Sequence, residues 1–189
     1  MNFKLPFIQI AITVIILYLS FSYCYSADFL TPGDIIPEFQ LENVNNSVEL
    51  GKYLGIEKEE KFTWQEIPAK LIIIEFFSVF CPKCHKNVPI HNKLFKIINN
   101  DKKLDKDIKM LGVGLMSTPE QVDVFQKKFN VQYPLFADIN NKITMKTNIN
   151  AFPQTVVIDK NGKVIMSHPG VMKDLDSFLE QLREHYKEL

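Results

Sequence analysis

Two cysteines, Cys81 and Cys84, stand directly between an apolar run and an amphipathic run of the chain. The apolar run, residues 71–77, is short and rich in Ile and Phe, which predicts a buried strand of a parallel sheet. The residues that follow, 82–99, repeat apolar side chains at close to helical spacing, which predicts a helix. The cysteines therefore lie where a strand passes into a helix, and any fold of this chain must place them there.

This position favours redox chemistry at the two sulfurs. The first turn of a helix has unpaired N–H groups and the positive end of the helix dipole, so it stabilises a thiolate. Pro82 suits the first helical position, where its missing N–H is not needed, and Lys83 adds positive charge. Cys84 lies on the same side of the first turn as Cys81, so the pair can close a disulfide and reopen it by thiol exchange. We predict that Cys81 is the exposed nucleophile and Cys84 the shielded, resolving thiol.

The N-terminal segment has the pattern of an export signal. Lys4 precedes an almost unbroken apolar run of 17 residues at 5–21, and small and polar residues follow it. This pattern predicts a secretory signal peptide over residues 1–26. The run is also near the lower length limit of a membrane span, so an uncleaved membrane anchor remains an alternative. We expect a periplasmic or other extracytoplasmic protein with one domain at 28–189, soluble after cleavage or anchored by the N-terminal segment.

Charge and cysteine content limit the function further. The chain has 22 basic and 22 acidic residues, so neither a basic face for nucleic acid nor an acidic tail is present. Cys24 would be lost with the signal or idle, which leaves Cys81 and Cys84 as the cysteines of the domain. So close a pair adds little loop-closure entropy to stability. We therefore interpret it as a redox pair that needs no cofactor and whose partners are protein thiols and disulfides.

The remaining apolar runs predict alternating strands and helices. After a small hairpin over residues 38–50, strands are predicted at 71–77, 109–115, 133–138, 155–159 and 163–167. Helices are predicted at 82–99, 119–129, 141–147 and 173–186. Residues 51–70 are charged and mixed, with a short helix or strand at 62–67 that contains the core residue Trp64. This order predicts an α/β sandwich whose central sheet is covered on both faces.

The chain resembles the thioredoxin fold at four positions. C-x-x-C between strand and helix is the first, and Glu75 falls where thioredoxins carry a buried acid. Pro89 falls where they kink the active-site helix, and Phe152-Pro153 falls where they have a cis-proline that faces the disulfide. The export signal, the N-terminal hairpin, the inserted helix at 119–129 and residues 151–162 make the chain similar to the TlpA/ResA-like branch.

The resemblance implies a thioredoxin-like three-layer sandwich with an N-terminal β-hairpin extension and an inserted helix. It also implies an exported thiol–disulfide oxidoreductase that reduces protein disulfides, for example in cytochrome c maturation. Such an enzyme works with a redox partner protein, which could itself be embedded in the membrane. A disulfide donor of the same fold is the alternative, because Pro82-Lys83 and Phe80 depart from the usual Gly-Pro and Trp.

Two further residues are predicted to take part in the reaction. Glu75 lies in an apolar strand, where an ionised carboxylate is costly, and we predict that it takes and returns the proton of Cys84. Alternatively, Glu75 points to a sheet edge or pairs with a lysine. Pro153, if its peptide bond is cis, leaves a backbone edge that faces the sulfurs and can pair with a substrate strand. The predicted substrate-binding residues are Pro82, Lys83, Phe152 and Pro153.

Two binding functions compete with the redox interpretation. Residues 81–85 spell C-x-x-C-H, the signature of c-type haem attachment, which would use His85 as an axial ligand. A metal-binding module, for copper for example, could use Cys81, Cys84, His85 and His91, with His168 as a further candidate. On one helix, however, Cys84 and His91 share a face while His85 points about 100° away, so a closed site needs another ligand.

Overall fold

The computed structural model describes residues 29–42, 48–56 and 61–189. The predicted signal or anchor segment at 1–26 and the predicted turn at 45–47 lie outside the described residues. Within the described ranges, no helix combines the length and the apolar character that a membrane span requires.

Strands and helices alternate along most of the chain. In order they are β1 (Gln40–Glu42), α1 (Val48–Leu54), β2 (Lys61–Thr63), β3 (Leu71–Phe77), α2 (Pro82–Asn100), α3 (Leu104–Asp107), β4 (Ile108–Gly114), α4 (Pro119–Phe129), β5 (Leu135–Ala137), α5 (Lys142–Thr147), β6 (Gln154–Asp159), β7 (Val164–Pro169) and α6 (Leu175–Lys187). Short 3-10 helices follow β2, at Trp64–Glu66, and β5, at Ile139–Asn141. The predicted strands and helices from residue 71 onward are thus confirmed, and α3 is an additional element that the sequence did not reveal.

A five-stranded sheet of order β5-β4-β3-β6-β7 forms the centre of the molecule. The central strand β3 runs parallel to β4 and antiparallel to β6, and all seven of its residues are buried. Alternate residues of β3 enter two hydrophobic clusters on opposite sides of the sheet. Side chains of α2, α4 and α6 contribute to one cluster, while α1, α5 and Trp64 contribute to the other. The predicted sandwich, with a sheet covered on both faces, is therefore confirmed.

The N-terminal strand pair differs from the predicted hairpin. β1 pairs antiparallel with β2, with Leu41 opposite Phe62, and residues 48–50 begin the helix α1 instead of a second hairpin strand. Three alternating residues fit a strand, but Leu50 and Leu54 are four positions apart and share one face of a helix. The prediction of the second hairpin strand was wrong because so short a run cannot distinguish the two periodicities.

Local sequence explains where the two helices next to the cysteines begin. Cys81 is the N-cap of α2 and Pro82 its first residue, as predicted. The N-cap of α4 is Thr118, whose hydroxyl accepts the N–H of Gln121 at 3.4 Å. The side chain of Gln121 accepts the N–H of Thr118 at 2.9 Å, which completes a capping box. Both helices therefore start at the C-terminal edge of the parallel strands β3 and β4.

Candidate active site

The two cysteines occupy the first turn of α2 and differ in accessibility. The sulfur of Cys81, a half-buried residue, accepts the backbone N–H of Cys84 at 3.2 Å. Cys84 is fully buried, and both residues are free thiols. Burial raises the pKa of the Cys84 thiol well above its usual value, and its hydrogen bond with Cys81 and the nearby charge of Glu75 add to this. Cys81 is thus the accessible sulfur, and Cys84 needs a base before it can react.

His85 connects the loop before the cysteines to the inserted helix α4. Its Nε2 lies 2.9 Å from the carbonyl oxygen of Val79, and its ring centroid lies 4.5 Å from that of Phe129. A second ring, that of Phe125, lies 5.6 Å away. His85 therefore holds the loop in place against an aromatic pair and points away from the buried face of α2.

Behind Cys84, the carboxylate of Glu75 joins a buried polar cluster. Glu75 is 2% exposed and lies on the α2 side of β3. The hydroxyl of Tyr133 donates a short hydrogen bond to Oε2, and Nδ1 of His91 lies 3.0 Å from Oε1. The other ring nitrogen of His91, Nε2, lies 3.0 Å from the hydroxyl of Thr155 on β6. The alternatives of an edge position or a lysine partner for Glu75 are therefore wrong.

Sequence reasoning missed the role of Tyr133 and considered His91 only as a metal ligand. Tyr133 lies 58 positions from Glu75, so no local pattern links them. For His91 a signal existed, because it follows Cys84 by seven residues and shares the buried face of the helix. A buried carboxylate requires polar partners, and a histidine on the facing side of the next helix was the nearest candidate.

The loop that contains Pro153 is linked by hydrogen bonds to α2, the helix that carries the dithiol. The peptide bond Phe152-Pro153 is cis, as the resemblance implied, and Pro153 is buried while Phe152 is half-buried. The carbonyl oxygen of Pro153 accepts the N–H of Gly170 at 2.7 Å. The side-chain amide of Asn87 donates to the carbonyl oxygen of Gly170 at 3.3 Å and accepts the N–H of Met172 at 2.9 Å. Asn87, which the sequence analysis did not single out, thus links α2 to the loop after β7 and through it to Pro153.

The surface around Cys81 carries exposed apolar side chains. Phe80 is 71% exposed, and Pro82 and Lys83 are exposed on the other side of Cys81. Met116, which is 50% exposed, follows β4, whose end lies next to the end of β3 because Leu115 donates its N–H to Phe77. The exposed apolar side chains of Phe80 and Met116 thus belong to the segments that follow β3 and β4, the same end of the sheet as the cysteines.

The histidines of the alternative metal site are not brought together. His85 contacts Val79, His91 contacts Glu75 and Thr155, and His168 lies on β7 opposite Thr155. Within the ranges that the structure describes, no group of three His, Cys, Asp or Glu side chains could hold a metal ion. The residues proposed as ligands thus point in separate directions.

A dithiol that opens and closes during catalysis needs an accessible sulfur, a shielded sulfur and a helix N-terminus next to them. Residues 81–84 provide this arrangement at the edge of a sheet whose strand order and cis-proline are those of the thioredoxin fold. The protein is a thiol–disulfide oxidoreductase with this fold, and it is similar to proteins of the TlpA/ResA-like type. Residues 31–182 match the Redoxin family, and the chain belongs to that family.

Individual relatives agree with this assignment. The chain is 24% identical over 181 residues to the thiol-disulfide oxidoreductase ResA of Geobacillus thermodenitrificans (strain NG80-2), and the alignment covers 90% of this chain and 94% of the relative. Among solved structures, it is similar to a candidate thiol:disulfide interchange protein DsbE from Chlorobium tepidum, with a TM-score of 0.63 and 17% identity over 82% of this chain and 98% of that one. It is also similar to StoA from Bacillus subtilis, with a TM-score of 0.56 and 16% identity over 78% of this chain and 98% of that one.

Proposed function

We propose that this protein is an exported reductant of protein disulfides that works through Cys81 and Cys84. The observation that carries the proposal is the asymmetry of the two thiols. Cys81 is half-buried and its sulfur receives a backbone N–H at 3.2 Å, whereas Cys84 is fully buried. An accessible sulfur at a helix N-terminus attacks first, and a shielded sulfur one turn away resolves the product.

The proposed reaction has two exchange steps. The Cys81 thiolate attacks one sulfur of a substrate disulfide, and the other substrate sulfur leaves as a thiolate that takes a proton from water. Cys84 gives its proton to Glu75, and its thiolate attacks Sγ of Cys81, which forms the Cys81–Cys84 disulfide and expels the second substrate sulfur. Two electrons thus pass from the dithiol to the substrate, and a redox partner protein, which could be membrane-embedded, reduces the enzyme again.

Substrate binding is proposed to use the backbone edge at Pro153 and the surface around Cys81. A cis-proline has no N–H to donate, and the neighbouring chain can pair with an extended peptide. Phe152 and the exposed Pro82 and Lys83 would contact the peptide on either side of the sulfur. The exposed side chains of Phe80 and Met116 suit a substrate with apolar residues next to its cysteine.

Substitution of each cysteine in turn tests the proposed order of attack. Cys81→Ser should abolish the reduction of insulin-type disulfides, because the remaining thiol is buried. Cys84→Ser should accumulate mixed disulfides with substrate, because nothing resolves them. Activity is followed by insulin turbidity, and mixed disulfides by non-reducing gels. Full activity of Cys81→Ser would refute the mechanism.

The direction of electron flow follows from the reduction potential. A redox titration of the wild-type protein against glutathione should give a value near that of thioredoxin, about −270 mV. A value about 100 mV higher would instead identify a disulfide donor of the same fold.

Export and substrate identity are proposed from the apolar run at 5–21 and from the resemblance to the TlpA/ResA-like branch. Mass spectrometry of the protein recovered from its native cell envelope should show either loss of the segment at 1–26 or its retention in the membrane fraction. If cytochrome c maturation is the task, mixed disulfides of Cys84→Ser should contain proteins with a C-x-x-C-H motif. Recovery of the intact chain from the cytoplasm would contradict export.

A further inference from the structure

His91 is a buried titratable residue that packing does not explain. It is fully buried on the face of α2 that also carries Cys84, where every other buried position except Asn87 is filled by an apolar side chain or the thiol. Both ring nitrogens face polar atoms, Nδ1 toward Glu75 and Nε2 toward Thr155, each at 3.0 Å. An apolar residue here would leave Oε1 of Glu75 and the hydroxyl of Thr155 without this partner, so the polar ring belongs to the buried cluster.

Among the contacts of Glu75 within the described residues, His91 is the one basic side chain. From β6 comes the uncharged Thr155, and β4 places Gly112 opposite Glu75. Tyr133 precedes β5, and burial together with the charge of Glu75 raises the pKa of its hydroxyl well above the usual value, so it donates and does not take up a proton. On β7, His168 lies opposite Thr155, and its Nδ1 has no hydrogen-bond partner within the described residues.

The contact between Glu75 and His91 is short but incomplete as a hydrogen bond. Nδ1 lies at ion-pair distance from Oε1, although the ring nitrogen is not oriented to form a regular hydrogen bond. Tyr133 already occupies Oε2, so Oε1 is the oxygen that remains open to a further proton. A proton that enters the pair can thus be held on Oε1 or on Nδ1, which lie 3.0 Å apart.

We propose that His91 is the second member of a proton-holding pair with Glu75, which stores the proton of Cys84 while the Cys81–Cys84 disulfide forms. The proposal deepens the proposed function and rests on it. The S–H bond of Cys84 breaks, its proton goes to the pair, and the thiolate attacks Sγ of Cys81 and expels the substrate thiolate. When a reductant reopens the disulfide, the proton returns to Cys84.

The transfer keeps the charge of the buried cluster constant. Before the transfer the pair carries one negative charge next to a neutral thiol, and afterwards a neutral pair lies next to a thiolate. The buried cluster therefore never holds two negative charges, which would be costly in an apolar interior. The imidazole nitrogen that faces Oε1 can accept a proton and release it again, so it can act as an intermediate carrier between the carboxylate and the thiol.

The test measures the resolving step alone, from a preformed mixed disulfide on Cys81, by stopped-flow at pH 5.5–9. His91→Gln keeps a polar side chain but loses the base, and resolution should slow by about tenfold near pH 6–7. The loss should shrink toward pH 9, where hydroxide can take the proton instead. The matched control is His185→Gln, at a half-buried histidine on α6 whose Nδ1 lies 3.6 Å from Glu188, and it should resolve at the wild-type rate at every pH.

A merely structural role for His91 gives a different result. If the role were structural, His91→Gln would slow resolution by the same factor at every pH. Either that outcome or an unchanged rate would overturn the proposal. The alkylation rate of Cys81 should be equal in both variants and the wild type, since the pair acts on Cys84. If the wild-type protein formed no mixed disulfide at all, the proposed function would fail together with the inference.

A measurement on the wild type keeps the proposal testable if His91→Gln does not fold. With a pH indicator at pH 7, the resolving step should take up close to one proton per turnover from solution. The expelled substrate thiolate takes that proton, while the proton of Cys84 stays in the pair. The absence of any net uptake would show that the proton of Cys84 goes to solvent, and it would overturn the proposal.

Discussion

At the scale of single residues, Glu75 is a carboxylate at a position where burial of a charge is costly. Its carboxylate is 2% exposed, in the central strand of the sheet, and its oxygens contact Tyr133 and His91. A group buried at such cost needs a compensating role, and its nearness to a thiol whose pKa is raised offers one. The structure thus places a carboxylate near enough to the buried thiol for its charge to raise the pKa of that thiol.

Glu75→Gln should separate proton transfer from folding. The amide keeps the size of the side chain and can still accept from Tyr133, but it cannot hold the proton of Cys84. We expect resolution of the mixed disulfide to slow by about a hundredfold, within the usual range for loss of a general base. Glu180→Gln, on the exposed face of α6, is the control and should leave the rate unchanged. A wild-type rate for Glu75→Gln across pH 6–9 would remove Glu75 from the mechanism.

Residues whose role depends on their local spacing along the chain could be predicted from the sequence. Cys81 and Cys84 define their own turn, and Pro153 was recognisable because it precedes a clear strand. Tyr133 and Asn87 were not predictable, because their roles depend on contacts with residues 58 and 85 positions away. Such contacts exist only once the sheet has brought distant segments together.

At the scale of elements, two asparagines fix α2 to its surroundings in different ways. Asn87 is fully buried and bonds to Gly170 and Met172 after β7, whereas Asn92 is half-buried and bonds to Asn130 and Gln132 before β5. Both make one donor and one acceptor bond to the backbone. These two asparagines therefore allow the same set of hydrogen bonds to be compared at a buried and at a half-buried position.

Asn87→Ala should destabilise the fold more than Asn92→Ala. The buried substitution leaves the N–H of Met172 without its acceptor, which costs about 1–3 kcal/mol, whereas water can replace the bonds of Asn92 at about 0.5–1.5 kcal/mol. Urea denaturation of the two variants, compared with the wild type, measures both values. Equal losses would mean that burial does not strengthen the link between α2 and the Pro153 loop.

Element boundaries were predictable where capping residues and periodicity agree, as at Thr118 and Pro82. They were not predictable at 48–50, where three residues fit either a strand or a helix. The pairing of β1 with β2 could not be foreseen, since it joins segments on either side of α1 that carry no complementary pattern. A long periodic segment thus determines whether it forms a helix or a strand, whereas the secondary structure of a short segment depends on its tertiary contacts.

At the scale of the whole molecule, Asp107 ties three elements together at the edge opposite the cysteines. It ends α3, and its Oδ2 accepts the hydroxyl of Tyr186 on α6 at 2.5 Å and lies 3.1 Å from Nζ of Lys70 before β3. These two contacts, the Tyr186 hydrogen bond first, lower the pKa of Asp107 below its ordinary value of 3.8. The ionised form is therefore favoured in the folded state.

This shift fixes the sign of a pH effect on stability. Because the pKa of Asp107 is lower in the folded than in the unfolded chain, its contribution is present above about pH 4 and is lost as pH falls through the folded value. Asp107→Asn should therefore lower the free energy of unfolding at pH 7, with a difference that shrinks toward pH 2. Asp123→Asn, which removes an exposed pair with Lys127, should change it little at any pH. Urea denaturation at several pH values checks both expectations, and a pH-independent loss in Asp107→Asn would contradict the first.

The sulfur of Cys81 has two roles. It reacts with the substrate, and it caps the N-terminus of α2 by accepting the N–H of Cys84. A thiolate is a strong acceptor, whereas a sulfur bonded to another sulfur carries no charge and accepts weakly. Oxidation therefore weakens one of two hydrogen bonds of this amide, because its N–H also reaches the carbonyl oxygen of Cys81 at 3.0 Å. The backbone amide of Cys84 thus responds to the oxidation state of Cys81, and a docked reductase could detect that change without contacting the buried thiol.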